Sequence, residues 1–564
     1  MYIQKNKRNN TTYYYLSKSV RDKGSTRPKT KVVESLGSRE DLINKHGENF
    51  EQWLKDYAKK RTEDDENKKT KVTFEQKKLD VNSPRPKNIG YLIIKQICEK
   101  TGLKKICKHI EEKEKLNFNM FDMVVCIIAR DLLDVESNSN LFVFVQTLYG
   151  TKALKREDIT TTIKLLCKYN VYIQKMLYKN VSKSNSVKRN NLFYDCSNYG
   201  SIGSEIEKLK YSKHYSENVT LGKVFMDDNL LPCGFILENS LFDFKEDNKK
   251  ILDNLKYRFD NATLYTLPDC IETTSDRSLY RRFTNNKQIT FQTLDKFSDK
   301  DIKYFFDSKN WKNLVTSKEV DLEKIRLETI SDNVSREEIS KNLGSLFVKY
   351  IKEEDQTKLC AFSFEIQYWM RQIRDFQLKK FQWSVEEKLG QTDAKNKEQM
   401  EKKFDFLVSD IKDEETKIHF FNDRIFRQSE DQDGYFVLAE DLEIDILNNL
   451  CKALWQKYNV FDFCFKIFKP EFVLDKKLTF KESMVSHFLI SYLTFFILRY
   501  MVFSLGDEYW YKDIVYQLSN MSIIPIDNNI WSPAYEVTSL IEKLTELCSL
   551  DINYNIISDE ELQL

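Results

Sequence analysis

The chain has 564 residues, 41% of them hydrophobic and 13% aromatic, which is enough apolar material for more than one core and excludes an intrinsically disordered polypeptide. Its 89 Lys and Arg nearly balance 87 Asp and Glu, for a formal net charge of +2. A globally basic nucleic-acid coat is thereby excluded, and polyanion binding must come from local patches.

The first ten residues, MYIQKNKRNN, lack the apolar run of a secretory signal, and eleven cysteines stand singly between Cys98 and Cys548 with no C-x-x-C pair. Both features predict a cytoplasmic protein whose cysteines are small buried hydrophobes. From Met1 to Gly37 nine Lys or Arg face two Asp or Glu, interleaved with the β-prone runs Thr11 to Leu16 and Lys31 to Leu36. This reads as a basic strand module over 1–54, able to meet phosphates or simply a solvated hairpin. The charge-dense segment Lys55 to Asp80, followed by Pro84 and Pro86, predicts a linker over 55–87. Helical periodicity then runs through Ile93, Ile94, Ile97, Phe121, Val124, Val125 and Ile128, so a helical domain is expected over 88–187.

Next the rhythm changes. Asn191 to Cys196 reads as a strand, and Val219 to Asp227 with Leu231 to Glu238 forms a hairpin about Asp228 and Asn229. An amphipathic helix, Asp243 to Phe259, leads to strands at Thr263 to Leu267 and Gln288 to Gln292. The order β-β-β-α-β, then a further β, is that of an RNase H-like domain, whose mixed sheet carries acidic residues at adjacent strand ends. The expected fold class is therefore α/β: an RNase H-like mixed sheet with a first part over 188–305, an inserted domain over 306–431 and a second part over 432–505. A helical region over 506–564 would follow. Within the insert, short apolar runs at Leu346 to Tyr350 and Leu359 to Phe364 precede a charged helical stretch from Gln377 to Asp410. A strand resumes at Tyr435 to Leu438, followed by apolar helices from Ile444 to Phe468 and Ser483 to Leu505. The stretch His487 to Leu505 approaches membrane-spanning length but contains Ser491, Thr494 and Arg499, which predicts a buried helix rather than a span.

Two aspartates close strands. Asp195 stands in NLFYDCSNYG and Asp269 in TLPDCIE, directly after Pro268; carboxylates at strand ends can hold a hard cation such as Mg²⁺. Taken alone, such an aspartate is more often a turn or capping residue. These blocks, with YSKHYSENVTLGKVFMDDNLLPCGFILENS between them and DGYFVLAEDLEIDILNNLCKALWQKYNVFDFCFKIFKPEF beyond, resemble transposases of the insertion-sequence-four superfamily, the mycoplasma-type group. The FYDCSNYGS block resembles the family's YD-x-T-T strand, and Glu34, Ser35, Leu36 and Gly37 resemble its N-terminal segment.

The family's third block is Y-x2-R-x3-E-x6-K, to which Trp455, Tyr458, Asp462 and Lys469 correspond. Offsets of 3, 7 and 14 from Trp455 fall at about 300°, 340° and 320° around a helix, so the four share one face. Tyr458 departs from Arg, Asp462 from Glu, and Cys270 with Ile271 stand where the family has Ala-Gly after its second Asp. The resemblance implies that Asp195, Asp269 and Asp462 are catalytic carboxylates of the DDE type and ligate two Mg²⁺ ions, with Mn²⁺ as a substitute. It also implies DNA contacts from Trp455, Lys457, Tyr458 and Lys469, double-stranded DNA partners (terminal inverted repeats and target) and a homodimer in the DNA complex. The implied activity is metal-dependent DNA cleavage and strand transfer. Two alternatives stay open: a decayed or repurposed copy that binds DNA without cutting it, and a non-enzymatic helical interaction protein.

Other positions read more plainly. Asp227 and Asp228 form a hairpin turn, His487 is a packed histidine, and Phe362, Phe364, Tyr368, Trp369 and Phe376 are core aromatics rather than a base-stacking run.

Overall fold

The structure is a computed structural model, and it describes residues 2–8, 11–20, 29–47, 49–66, 85–134, 140–184, 190–198, 221–238, 242–267, 283, 285–292, 297–329, 334–368, 370–372, 407–408, 420–421, 432–456, 464, 477–527 and 529–562. The chain divides into two compact units, Met1–Asp80 and Val81–Leu564.

In the first unit, strands β1 (Tyr2–Arg8), β2 (Thr11–Val20) and β3 (Lys29–Ser38) form an antiparallel sheet in that order. Helices α1 (Arg39–His46) and α2 (Phe50–Glu66) follow. Alternation along the strands sends Ile3, Tyr14 and Leu36 to one face, where Leu42, Phe50 and Leu54 of the helices complete a small core. Ser38 starts α1 with a capping box, its hydroxyl accepting from the Asp41 N–H while the Asp41 carboxylate accepts from the Ser38 N–H. The linker expected from residue 55 instead begins as helix: α2 continues to Glu66, because Leu54 and Ala58 bury against the sheet and hold its charged turns in place.

The second unit begins with β4 (Lys87–Asn88) and the helices α3 (Gly90–Lys100), α4 (Leu103–Glu114), α5 (Met120–Leu133), α6 (Leu141–Val145), α7 (Arg156–Lys168) and α8 (Asn170–Ser184). Strands β5 (Asn191–Asn198), β6 (Leu221–Met226) and β7 (Pro232–Glu238), helix α9 (Lys245–Arg258), and strands β8 (Thr263–Thr266) and β9 (Asn285–Gln288) come next. They build a five-stranded sheet of order β7-β6-β5-β8-β9, in which β5, β6 and β7 are antiparallel while β8 and β9 run parallel to β5. The fifth strand lies three residues upstream of its expected position. Its four residues are exposed and polar, so apolar alternation does not mark it, and pairing with β8 does.

A second sheet follows. It contains β10 (Trp311–Asn313), β11 (Glu319–Val320), β12 (Phe347–Lys352), β13 (Thr357–Phe362) and, after a short pair β14 (Leu407–Val408) and β15 (Phe420–Phe421), β16 (Tyr435–Glu440). Helices α10 (Asp299–Phe306), α11 (Leu322–Thr329) and α12 (Arg336–Leu343) flank these strands in sequence. The order β11-β10-β12-β13-β16 is antiparallel throughout. The strand expected to resume the first sheet after residue 432 therefore closes the second one, pairing with β13 from Thr357↔Glu440 to Phe362↔Tyr435. Gly434 opens it with φ +85°, where a Cβ would lie 2.8 Å from the Ser363 carbonyl oxygen. Gln292, just past β9, donates its N–H to Val437 at 3.0 Å and stitches the two sheets together.

The chain closes with α13 (Ile444–Gln456), α14 (Phe480–Ser504), α15 (Tyr511–Asn520), β17 (Ser522–Asp527), β18 (Ile530–Pro533), α16 (Ser539–Cys548), β19 (Ile557–Ser558) and α17 (Asp559–Leu562). Helix α14 is apolar on every side, and every residue from Ser483 to Arg499 is buried. Its 24-residue stretch Lys481–Ser504 is long and apolar enough to cross a membrane by composition, yet 94% of its most apolar window is buried inside the fold, as the sequence predicts. Around it pack α3, α5 and α7, so the helical region expected as a separate domain shares one core with the C-terminal helices. Strand β4 pairs with β17, joining the two ends of this unit.

Candidate active site

Asp195 is 1% exposed and sits in β5, opposite Val224 of β6. Side chains alternate along the strand: Leu192 and Tyr194 enter the cluster with α9, whereas Phe193 enters the main cluster with α14. Asp195, two residues after Phe193, therefore shares the face that looks on the main cluster, to which Leu447, Leu450 and Leu454 of α13 also belong. On the other side β8 runs parallel, with Tyr194 opposite Thr266, and the Leu267 N–H donates to the Tyr194 carbonyl at 2.9 Å. The parallel ladder ends at Tyr194 and Thr266, so β8 stops beside the residue before Asp195, whereas β5 runs on to Asn198 along β6; Asp195 therefore lies within its strand and not at the strand end expected from the sequence. Asp269, Lys457, Tyr458, Asp462 and Lys469 lie outside the described residues. Among the described residues, no group of three His, Cys, Asp or Glu side chains is placed to hold a metal.

The neighbouring ionic groups have structural partners. Lys223 of β6 is wholly buried, pairs with Glu238 at 3.1 Å and lies 5.9 Å from the Tyr194 ring, on the opposite face of the sheet from Asp195. The hairpin reading of Asp227 and Asp228 is met. Asp227 accepts from the Tyr178 hydroxyl at 2.9 Å and from the N–H groups of Asn229 and Leu231 at 2.9 and 3.0 Å. Burial pushes its carboxyl up to about 6 against the lowering effect of those bonds. Asp228 accepts from the N–H of Asn190 at 2.8 Å and of Asn191 at 3.2 Å, which fixes the start of β5.

Trp455 is half-buried on α13 and lines a cleft with Lys452 and Gln456 of the same helix, Lys341 and Gly344 at the end of α12, Arg499 of α14, and the segment Asp507 to Trp510. Burial pulls the Lys452 ammonium down, partly offset by Asp507 nearby. Burial pushes the Asp507 carboxyl up, but the Arg499 guanidinium paired with it outweighs that and holds it low. Sequence reasoning missed Lys452, which looks like any surface lysine of an amphipathic helix. Its spacing one turn before Trp455 was the available signal.

His487 is 1% exposed inside α14, as a packed histidine should be, and Phe362 and Phe364 are buried core aromatics. Tyr368 is 61% exposed, unlike the core position expected of it, because it lies past the last strand contact of that run; Trp369 and Phe376 lie outside the described residues. Eight of the nine described cysteines are buried.

Residues 3–70, spanning the three-stranded sheet and both helices of the first unit, match the family model for IS1634 family transposase, N-terminal domain. The match supports an insertion-sequence transposase. No curated protein matches the chain, and no solved structure does. The chain is a mixed α/β protein whose first unit is similar to a transposase N-terminal domain.

Proposed function

We propose that the chain is a transposase of the insertion-sequence-four superfamily that cleaves and rejoins DNA at a carboxylate centre formed by Asp195, Asp269 and Asp462. The observation that carries the reading is the first sheet. Its order, three antiparallel strands followed by a helix and two parallel strands beside the first, supports reading it as an RNase H-like core. Asp195 lies on its central strand, and Asp269 stands two residues after Leu267, the residue hydrogen-bonded to Tyr194. Two peptide units span at most about 7 Å. Asp462 stands six residues after Gln456, the end of α13, in the sequence block that resembles the family's third catalytic block.

The donor set suits the metal. Three carboxylates are hard oxygen ligands, the chemistry that Mg²⁺ or Mn²⁺ requires, and a buried carboxylate such as Asp195 is stabilised by a neighbouring cation. Bound ions would supply Lewis acidity toward a phosphodiester, and Asp195, Asp269 and Asp462 would hold them. Lys469, Lys457, Tyr458 and Trp455 would contact the DNA, with Lys469 as a point charge toward phosphate. Double-stranded DNA, as terminal repeats and as target, and a homodimer in the DNA complex belong to the same reading. The departures at Tyr458, Asp462 and Cys270 keep a second reading alive, a copy that binds DNA without cutting it.

The separating experiment is cleavage of the element's own ends with Mg²⁺ or Mn²⁺. The wild-type chain is expected to nick at the terminal repeats and Asp195→Ala is not. Equal nicking by both proteins would overturn the assignment of Asp195.

A further inference from the structure

Lys452, Trp455 and Gln456 are spaced i, i+3 and i+4 on α13, so all three point into the same cleft. The carboxylates that line it are engaged. Asp507 pairs with Arg499, and Glu508 accepts from Lys543 at 3.1 Å. Two cations are left over: among the described residues Lys452 makes no ion pair, and Lys341 makes none while its ammonium sits 6.0 Å from the Tyr509 ring. Hydrogen-bonding capacity is left over as well. Gln456 is 3% exposed with its amide oxygen unpaired, and the indole N–H of Trp510 is buried without an acceptor. Buried polar groups are partnered in the large majority of cases, so two orphans beside two surplus cations describe a site whose partner is a ligand. Gly344 lets Trp510 pack against the end of α12 at the edge of the cleft, since a Cβ there would lie 2.3 Å from the Trp510 side chain.

We propose that this cleft is a phosphate-binding site, with Lys452 and Lys341 as its charges and the Trp510 N–H and the Gln456 amide, turned to present its NH₂, as its donors. Its phosphate comes from the DNA backbone. The source rests on the transposase reading; the phosphate chemistry does not. The donor set fits an acceptor-only anion with several oxygens, and an ammonium is the charge that phosphate takes without demanding a fork. The location adds a consequence. Lys452 lies one helical turn before Trp455 and six residues before Tyr458 in sequence, the position at which the resembled family carries Arg. The burial that depresses the Lys452 ammonium is relieved when an anion neutralises it.

The test uses the full chain and two probes. With inorganic phosphate in calorimetry, the wild type binds, Lys452→Arg retains binding, and Lys452→Gln loses about tenfold or more in affinity, the scale of one charge-assisted hydrogen bond. Lys341→Gln, at an exposed position, weakens binding independently and guards against a fold defect. With duplex DNA, the slope of log affinity against log salt falls by about 1 in Lys452→Gln, the signature of one lost phosphate contact. The melting temperature of Lys452→Gln stays level or rises, because a part-buried charge without an ion pair is removed; a purely structural lysine would lower it. Equal phosphate affinity in wild type and Lys452→Gln would overturn the site. Loss of phosphate binding with an unchanged DNA salt slope would overturn the backbone as its source. Neither readout requires DNA cleavage, so an inactive wild type defeats the transposase reading and leaves this one measurable.

Discussion

Arg499 of helix α14 donates a hydrogen bond from Nη2 to the main-chain oxygen of Asn229 at 2.7 Å, tying the central helix of the core to the turn between β6 and β7. The same guanidinium pairs with Asp507 and is 4% exposed. Arg499→Leu should therefore cost about 3 kcal/mol or more of stability, because it strands a mostly buried carboxylate and an unpaired carbonyl. Adding Asp507→Leu should recover part of the loss. Urea midpoints of the wild type, the single and the double variant check this, and an Arg499→Leu change below about 1 kcal/mol would show that the clamp is not structural.

Asp227 gives the protein a pH dependence of defined sign. Its folded-state carboxyl, pushed up to about 6 by burial, lies above its ordinary value of 3.8, so between those values the folded state binds more protons than the unfolded one. Its contribution favours the folded state most below about pH 4 and is lost as pH rises to about 6, by an amount on the order of 3 kcal/mol. Asp227→Asn should flatten that part of the stability-versus-pH curve relative to wild type. Parallel curves for the two proteins would contradict it.

Gly90 opens α3 against α15, and a Cβ there would lie 2.1 Å from the Leu518 carbonyl oxygen. Backbone cannot yield as a side-chain tip can. Gly90→Ala is expected to lower stability by about 2 kcal/mol, measured by chemical denaturation, despite alanine's better helix propensity.

The first unit should fold alone. Residues 1–80 contain a complete sheet and both helices over their own core of Tyr14, Leu42, Phe50 and Leu54. Expressed separately, the segment should give mixed strand and helix circular dichroism and a cooperative melt. A non-cooperative melt would mean that it depends on the remainder of the chain.

The parts of this fold that were legible in the sequence are those with local causes. The β6–β7 hairpin announces itself by Asp228 and Asn229 between apolar runs, and α14 by its unbroken apolar length. Helix α2 was read as linker because only a few apolar residues in a charged stretch face the sheet. Strand β9 shifted because its polar residues are held by a ladder rather than by alternation. The partner of β16 could not be read at all: Tyr435 to Glu440 suit either sheet, and pairing with β13 is decided about eighty residues away in sequence. At the site, Asp195 was legible as a strand carboxylate but not its place within the strand, since β5 runs on to Asn198 by pairing with β6; Lys452 gained meaning only when Arg499, Trp510 and Gly344 closed around it.

Asp195 is proposed as a ligand of a shared two-metal centre. Mn²⁺ titration followed by electron paramagnetic resonance, on the full chain bound to a DNA end, tests it most directly. The account predicts two Mn²⁺ ions per chain in the wild type and fewer in Asp195→Asn, with Asp228→Asn, a turn residue, keeping both. Identical Mn²⁺ occupancy in wild type and Asp195→Asn would contradict it.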